Sequence, residues 1–284
     1  MRDTSLYSTL PVARRSHAPV LRIEVTAHAV GWARAATSYG LTMRIATWNM
    51  ERLKKGNRAA SAYDEHLREL RADVTVVTEP GSGFGERHPT ALVAPELRLG
   101  SKKPEAWVAI LGSSLDAASL EIPYKHLAVA GTTTIEGQRI LIYGSVLPWL
   151  SARRHAYDVY GSTDRPFIDV FTTAIGQQVG DMRRLQALYP DHLPIWAGDF
   201  NHTIVPPFVS IQASAMIESA LKGLGLRAYN ATAPHREPEW HTIDLLCGPE
   251  HWVCGDTESS YPEYKGTALS DHRAYAVEIE LPDR

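Results

Sequence analysis

From Met43 onward the sequence alternates short runs of β-branched and apolar residues with longer segments of helical periodicity. Residues 43–48 (MRIATW) and 74–78 (VTVVT) are typical of buried strands. Between them, Tyr63, Leu67 and Leu70 recur at i, i+4 and i+7, which predicts a helix over 58–71. Such alternation predicts an α/β domain in which helices cover the sheets. The spacing alone does not distinguish one sheet from two.

The same signals continue to the end of the chain. No internal repeat interrupts them, and 284 residues with 44% hydrophobic content suffice for one α/β domain with a large core. Further strands are predicted at 106–111, 126–130, 139–147, 193–198, 242–247 and 273–281, and further helices at 167–189 and 210–223.

Composition excludes several classes of protein. The 44% hydrophobic and 21% charged content excludes a disordered chain, and a net charge of −3 excludes a strongly basic nucleic-acid coat. No apolar run reaches the roughly 20 residues that a membrane helix needs, so we expect no membrane span. Cys247 and Cys254, the two cysteines, form neither a disulfide framework nor a common zinc spacing. We therefore predict a cytoplasmic protein.

Residues 1–42 differ from the remainder. They carry five arginines and two acidic residues, a charge of +3, which leaves −6 on residues 43–284. The segment lacks the sustained apolar region of a secretory signal. We expect residues 1–42 to be a poorly ordered leader, or the product of a start assigned too early with translation beginning at Met43, and residues 43–284 to form the functional domain. An organelle-targeting leader is the alternative.

Polar side chains occur repeatedly at the ends of the predicted strands. Such ends are rigid, and the loops that follow them line clefts. Four carboxylates in one cleft would repel one another unless a cation held them, and Mg²⁺ or Mn²⁺ is the ion that carboxylate and amide oxygens suit. The pattern predicts a divalent-metal site with one histidine beside it. Its members are Asn49, Glu79, Asp199, Asn201, Asp244, Asp271 and His272.

The order of these motifs resembles that of the endonuclease/exonuclease/phosphatase superfamily, which includes DNase I-like nucleases and inositol polyphosphate 5-phosphatases. The resemblance covers roughly residues 43–281. It implies a four-layer α/β/β/α sandwich, in which helices flank two packed mixed β-sheets, and a metal-dependent phosphoesterase. The motifs that carry the resemblance are Trp48-Asn49, Glu79, Gly198-Asp199-Phe200-Asn201, Ile243-Asp244 and Ser270-Asp271-His272.

The resemblance also implies roles. Glu79 would be the principal ligand of Mg²⁺ or Mn²⁺, with Asn49 and Asp271 helping to hold the ion or its waters. Asp199 would be the general base or would orient the attacking water, and Asn201 would hydrogen-bond that water or a phosphate oxygen. A phosphate oxygen would also accept a hydrogen bond from His272, which Asp244 would orient and keep protonated.

One feature departs from the superfamily pattern, which usually places a His or Tyr at the end of a central strand. Here that position falls near Val146 and Leu147. The segment Arg153, Arg154 and His155 could supply the missing phosphate contact, or it could be an ordinary solvated helix start. Trp149 is a further candidate for contact with the substrate.

The substrate is the least determined feature. We predict hydrolysis of a phosphodiester, with DNA or RNA slightly favoured, although a charge of −6 over residues 43–284 argues against tight nonspecific duplex binding. The alternatives are a phosphomonoesterase acting on a small or lipid-like phosphate and a non-catalytic binding module of the same fold. A basic cleft could still be formed by Arg52, Lys54, Lys55, Arg58, Lys102 and Lys103.

Overall fold

The structure is a computed structural model that describes residues 41–53, 59–97, 104–116, 119–123, 125, 127–150, 165–237 and 239–282. All of these lie in one compact unit, Gly40–Arg284. The predicted leader falls almost entirely outside the described residues and stays a prediction. The first described strand begins one residue before Met43.

The first sheet contains six strands. Its order is β10-β13-β1-β2-β4-β3, and β1 runs parallel to β2 but antiparallel to β13. Its strands are β1 (Thr42–Asn49), β2 (Val74–Thr78), β3 (Leu92–Val93), β4 (Val108–Gly112), β10 (Glu258–Ser260) and β13 (Ala274–Glu280).

The second sheet contains five strands in the order β5-β6-β7-β9-β8, with β6 and β7 parallel. Its strands are β5 (Ala128–Ile135), β6 (Gln138–Val146), β7 (Leu193–Asp199), β8 (Leu226–Ala228) and β9 (Asp244–Pro249). A separate hairpin joins β11 (Glu263–Tyr264) to β12 (Thr267–Ala268).

The two sheets pack face to face through buried residues that are almost all apolar. Along β1, Ile45 faces the inter-sheet core, whereas Trp48 faces a second apolar cluster on the outer side. At Gly144 of β6, a Cβ atom would lie 2.9 Å from a methyl group of Val76 on the facing sheet. Only glycine permits this approach.

Helices cover the outer faces. The outer cluster of the first sheet includes Tyr63 and Leu67 of α1 (Ala60–Glu69) together with Phe84 of α2 (Phe84–Arg87). The second sheet is covered by α3 (Phe167–Leu188) and α4 (Ile211–Gly223), whose buried faces join the main core. This arrangement confirms the predicted four-layer α/β/β/α sandwich of two mixed sheets. Within the described parts of the chain, no helix is both long and apolar enough to cross a membrane.

The glycine-rich segment 80–85 leads from the end of β2 into a short helix. Gly83 takes a left-handed conformation and directly precedes α2, whose buried Phe84 anchors the segment to the outer cluster. The glycines therefore form a tight entry into a short helix.

Candidate active site

The ends of parallel strands from both sheets meet at one point. β1 ends at Asn49, beside the end of β2, and β7 ends at Asp199 in the facing sheet. The Asn49 amide Nδ2 donates a hydrogen bond of 2.9 Å to Asp199 Oδ2 across the sheet interface. Both residues are almost fully buried, with 1% and 2% exposure. This bond joins two motifs that are 150 residues apart.

The turn after β7 fixes the Asp199 carboxylate. Gly198 has φ 137°, and a Cβ there would overlap the Ser145 carbonyl oxygen, so the position requires glycine. Asn201 is left-handed with φ 55°, and its backbone N–H donates to Asp199 Oδ1 at 2.8 Å. Its side-chain Nδ2 donates to the Leu147 carbonyl at 2.9 Å. The carboxylate is thus held on both oxygens.

Asp244 and His272 form a buried pair. His272 Nδ1 donates to Asp244 Oδ2 at 2.7 Å, and Asp244 is fully buried. Burial lowers the pKa of His272, but the charges of Asp244, Asp199 and Asp271 outweigh burial and raise that pKa to about 10. A pKa of about 10 keeps the imidazole cationic at neutral pH.

Asp271 and His272 face the same site because both lie in irregular backbone before β13. Ser270 Oγ organises this bend: it donates to the Asn49 carbonyl at 2.6 Å and accepts from the His272 N–H at 3.0 Å. The Asp271 Oδ1 atom lies 3.8 Å from His272 Nε2, and its side chain is 47% exposed. The carboxylate of Asp271 thus lies at the solvent side of the site.

Glu79 follows β2 in a left-handed conformation, with φ 48°. Its Oε2 lies 2.9 Å from Arg52 Nη2, and its carbonyl accepts the Arg52 N–H at 2.8 Å. Burial raises the pKa of Glu79, and the charges of Arg52 and His272 oppose that rise. The Glu79 carboxylate therefore already contacts a cationic side chain, the Arg52 guanidinium.

Arg52 is held in a cage of acidic and aromatic side chains. Its Nε lies 3.3 Å from Glu105 Oε2, and its guanidinium lies 4.6 Å from the centre of the Trp107 ring. Trp107 in turn stacks on the half-buried Trp149, with ring centres 5.9 Å apart and planes at 11°. Trp149, the aromatic residue predicted to contact the substrate, is therefore connected to Glu79 through Trp107 and Arg52.

The backbone that carries Arg52 is unusual. Glu51, Arg52 and Leu53 all have positive φ, between 50° and 59°, which is rare for consecutive non-glycine residues. The loop passes close to Gly81, where a Cβ atom would lie 3.2 Å from the Arg52 carbonyl group. The sequence indicates Arg52 only as one of several basic residues and does not indicate Glu105 and Trp107 as its partners. Nothing in the local sequence signals these long-range contacts.

The acidic groups fit a divalent cation. Burial, followed by the charge of Asp244, raises the pKa of Asp199 above its ordinary range, so the cluster is short of positive charge. Two buried carboxylate oxygens of this site, Asp244 Oδ1 and Asp271 Oδ1, have no hydrogen-bond partner among the described residues. Ligand atoms of Asp199, Asp244 and His272 lie within 4.8 Å of one another. The His272 imidazole is cationic and donates a hydrogen bond to Asp244, so it is not free to coordinate a metal ion. The atoms that can coordinate one are therefore carboxylate oxygens, which suit Mg²⁺ or Mn²⁺.

The end of β6 lacks a polar side chain, as the sequence indicated. Val146 and Leu147 are both fully buried apolar residues there. The proposed substitutes Arg153, Arg154 and His155 lie outside the described residues. The same holds for the other predicted cleft cations, namely Lys54, Lys55, Arg58, Lys102 and Lys103.

Comparison of the sequence with protein-family models finds no match, and neither does comparison with curated proteins. Many solved structures do share the fold. An endonuclease/exonuclease/phosphatase protein from Beutenbergia cavernae is 13% identical, with a TM-score of 0.59 over 85% of this chain and 72% of that one.

Two further neighbours carry more specific descriptions. A Neisseria 3′ phosphatase bound to a product DNA hairpin is 15% identical, with a TM-score of 0.57 over 84% of this chain and all of that one. The human Nocturnin catalytic domain with a bound sulfate anion is 14% identical, with a TM-score of 0.54 over 84% and 94%. At these identities the comparisons establish the fold, which is the DNase I-like fold of endonuclease/exonuclease/phosphatase proteins.

Proposed function

We propose that this protein is a divalent-metal-dependent phosphoesterase that hydrolyses a phosphodiester by water attack. The observation that carries the proposal is the hydrogen bond between Asn49 and Asp199, because it joins the strand ends of the two sheets at the point where Asp244 of the second sheet also pairs with His272 of the first. A buried carboxylate, an imidazolium and a set of unpartnered carboxylate oxygens then share one site. The fold, shared with phosphoesterases, supports this assignment.

Asp199 is positioned to receive the proton of the attacking water. Its two oxygens are held by Asn49 and by the Asn201 N–H, so it does not need to reorganise. Its raised pKa brings it closer to neutral pH and makes it a better base than an exposed aspartate. Asn201 retains one amide hydrogen beyond its bond to Leu147, and this hydrogen is available to the water or to a phosphate oxygen.

His272 donates a hydrogen bond from Nε2 to a nonbridging phosphate oxygen, while Nδ1 stays bound to Asp244. A preorganised cation of this kind stabilises the charge that develops on the phosphate in the transition state. Glu79, Asn49 and Asp271 would hold Mg²⁺ or Mn²⁺, with Glu79 as the principal ligand. When bound, the ion neutralises phosphate charge and lowers the pKa of a coordinated water.

A phosphomonoesterase is the second candidate. Arg52 adds a guanidinium beside Glu79, and a site with two cationic side chains suits the dianion of a phosphate monoester. The 3′ phosphatase among the structural neighbours has the same fold. In either case the substrate is a phosphoester, with DNA or RNA as the favoured diester, and we retain the predicted cytoplasmic location, which the two free cysteines support.

The test compares a diester with a monoester under identical conditions. With Mg²⁺ present, we expect turnover of bis(p-nitrophenyl) phosphate and of single- or double-stranded DNA to exceed that of p-nitrophenyl phosphate. Asp199→Ala should abolish turnover, whereas Asp191→Ala, which removes an exposed aspartate, serves as the matched control. Preference for the monoester would establish the second candidate. Turnover of none of these substrates would favour a non-catalytic binding module.

A further inference from the structure

Two arginines converge on one tyrosine next to the proposed active site. The guanidinium of Arg236 lies 5.9 Å from the centre of the Tyr261 ring, and that of Arg273 lies 5.7 Å from it. We call Arg236, Tyr261 and Arg273 the arginine–tyrosine patch. Arg236 is exposed, and the other two residues are partly exposed. The patch thus offers two guanidinium groups at the protein surface.

The patch is connected to His272. Arg273 is the next residue in the chain, and its Nε donates to the His235 carbonyl at 3.2 Å. The His235 ring lies 6.2 Å from the His272 ring, centre to centre. The loop before β9 and the bend before β13 are therefore joined beside the imidazole that we assign to the scissile phosphate. A ligand bound at the patch would be a neighbour of that phosphate.

The patch carries positive charge that the protein does not neutralise. Among the described residues, no carboxylate forms an ion pair with Arg236 or Arg273, although Arg44, Arg52 and Arg139 all have acidic partners. The two guanidinium groups lie 5.9 Å and 5.7 Å from the centre of the same ring, so an anion bound beside Tyr261 would be attracted by both. The Tyr261 hydroxyl is also buried without a partner in the described structure.

The side of the site around Arg52 is acidic, in contrast to the arginine–tyrosine patch. There Arg52 is neutralised by Glu79 and Glu105, and the surrounding charge is acidic. An extended polyanion that places one phosphate at His272 would therefore continue toward the arginine–tyrosine patch and away from Glu105. A small diester with a single phosphate has no second phosphate to place at this patch.

We propose that the arginine–tyrosine patch binds the phosphate adjacent to the scissile one, so that the substrate of this site is a polynucleotide. This inference rests on the proposed phosphodiesterase function and names its substrate class. Guanidinium groups bind phosphate through paired N–H donors, and Tyr261 supplies a stacking surface that holds both of them in place. The patch determines specificity by adding binding energy that only a substrate with a second phosphate can gain.

The test measures kcat/KM of Arg236→Gln on a fluorescent single-stranded oligonucleotide and on bis(p-nitrophenyl) phosphate. We expect the loss on the oligonucleotide to be at least tenfold larger than the loss on the small diester, and to lie mainly in KM. The logarithmic salt dependence of oligonucleotide binding should weaken by about one unit, because one phosphate contact is removed. Arg183→Gln, which removes an exposed arginine from α3, is the charge-matched control and should show neither effect.

Arg273→Lys provides the second variant, because it keeps the charge at a position that also contacts the His235 carbonyl. It should retain more oligonucleotide activity than Arg273→Gln. Equal losses on both substrates, or no loss on either, would overturn the proposal. If the native protein turns over neither substrate, the proposed function fails; oligonucleotide binding measured by fluorescence anisotropy then decides the patch, and a less than twofold weakening in Arg236→Gln contradicts it.

Discussion

The Arg52 guanidinium lies 2.9 Å from the carboxylate of Glu79, the residue that we assign as the principal metal ligand. Arg52 is also 3.3 Å from Glu105 and sits over Trp107, so it has a second acidic partner to which it can remain bound. The same Glu79 carboxylate is therefore available either to the guanidinium or to a divalent cation. Positive charge so close to a metal ligand opposes cation binding.

Removing this charge should tighten metal binding. We expect Arg52→Gln to bind Mn²⁺ at least threefold more tightly than the native protein, because the guanidinium no longer competes with the metal ion for Glu79. Titration calorimetry measures the affinity without requiring turnover. Arg139→Gln, which breaks the exposed pair with Asp191, is the control. Weaker binding in Arg52→Gln would show instead that the guanidinium positions Glu79 for the metal.

Breaking the Asp244–His272 pair should change the titration of the imidazole. In Asp244→Asn the pKa of His272 should fall from about 10 toward or below 6.5, because the carboxylate that stabilises the imidazolium is gone while the burial that lowers the pKa remains. Imidazole ¹⁵N chemical shifts followed from pH 5 to 11 measure this directly. An unchanged titration would show that Asp244 does not hold the proton on His272.

The same pair predicts a pH dependence of stability. Because the folded state raises the pKa of His272 from 6.5 to about 10, the stabilisation is complete below pH 6.5 and is lost as the pH rises through 10. Native protein should therefore exceed Asp244→Asn in free energy of unfolding by most at about pH 6, and the difference should shrink as the pH rises from 6.5 to 10.5. Urea unfolding at several pH values, with Asp191→Asn as the exposed control, tests this window. A difference that is constant with pH would be inconsistent with it.

Two glycines give a matched pair for backbone effects. Gly198→Ala should destabilise the protein by at least about 2 kcal/mol, because φ is 137° and the new methyl group meets the Ser145 carbonyl. Gly180→Ala, in the middle of α3 with open space around its Cα, should be neutral or stabilise by about 0.5–1 kcal/mol. Urea unfolding gives both values. If Gly198→Ala is as stable as the native protein, the tight turn that fixes Asp199 is not as described.

Added Mg²⁺ should raise the melting temperature of the native protein, because it relieves repulsion among the clustered carboxylates and binds only the folded state. The rise should be much smaller in Glu79→Gln, which removes the principal proposed ligand. It should be retained in Glu263→Gln, which removes an exposed acid from the β11–β12 hairpin. Identical rises in all three proteins would place the cation away from Glu79.

Much of the fold follows from sequence periodicity, whereas short or polar elements do not. The strand Val74–Thr78 and the helices near 60–69 and 167–188 were predicted within two residues, since each buries a regular apolar pattern. Strand β5 extends to Ile135, well beyond the predicted 126–130, because Thr132 and Thr133 are buried by pairing with β6 rather than by hydrophobicity. The two-residue strands β3, β11 and β12 are too short to produce a period.

The candidate site divides in the same way. The resemblance to the superfamily implies that Asp244 orients His272, and the structure places His272 Nδ1 2.7 Å from Asp244 Oδ2. The cage around Arg52 could not be predicted, since it depends on three left-handed residues and on Glu105 from a distant segment. The position of Arg236 and Arg273 beside the Tyr261 ring likewise depends on segments that meet only in the folded chain.

The most direct test of the account is the metal dependence of diester hydrolysis. Protein treated with EDTA is assayed with bis(p-nitrophenyl) phosphate while Mg²⁺ is added back, alongside Asp199→Ala. We predict no turnover in EDTA, a saturable return of activity with Mg²⁺, and activity at least 100-fold lower in Asp199→Ala at every Mg²⁺ concentration. Hydrolysis by the native protein that proceeds equally in EDTA and in Mg²⁺ would contradict the account.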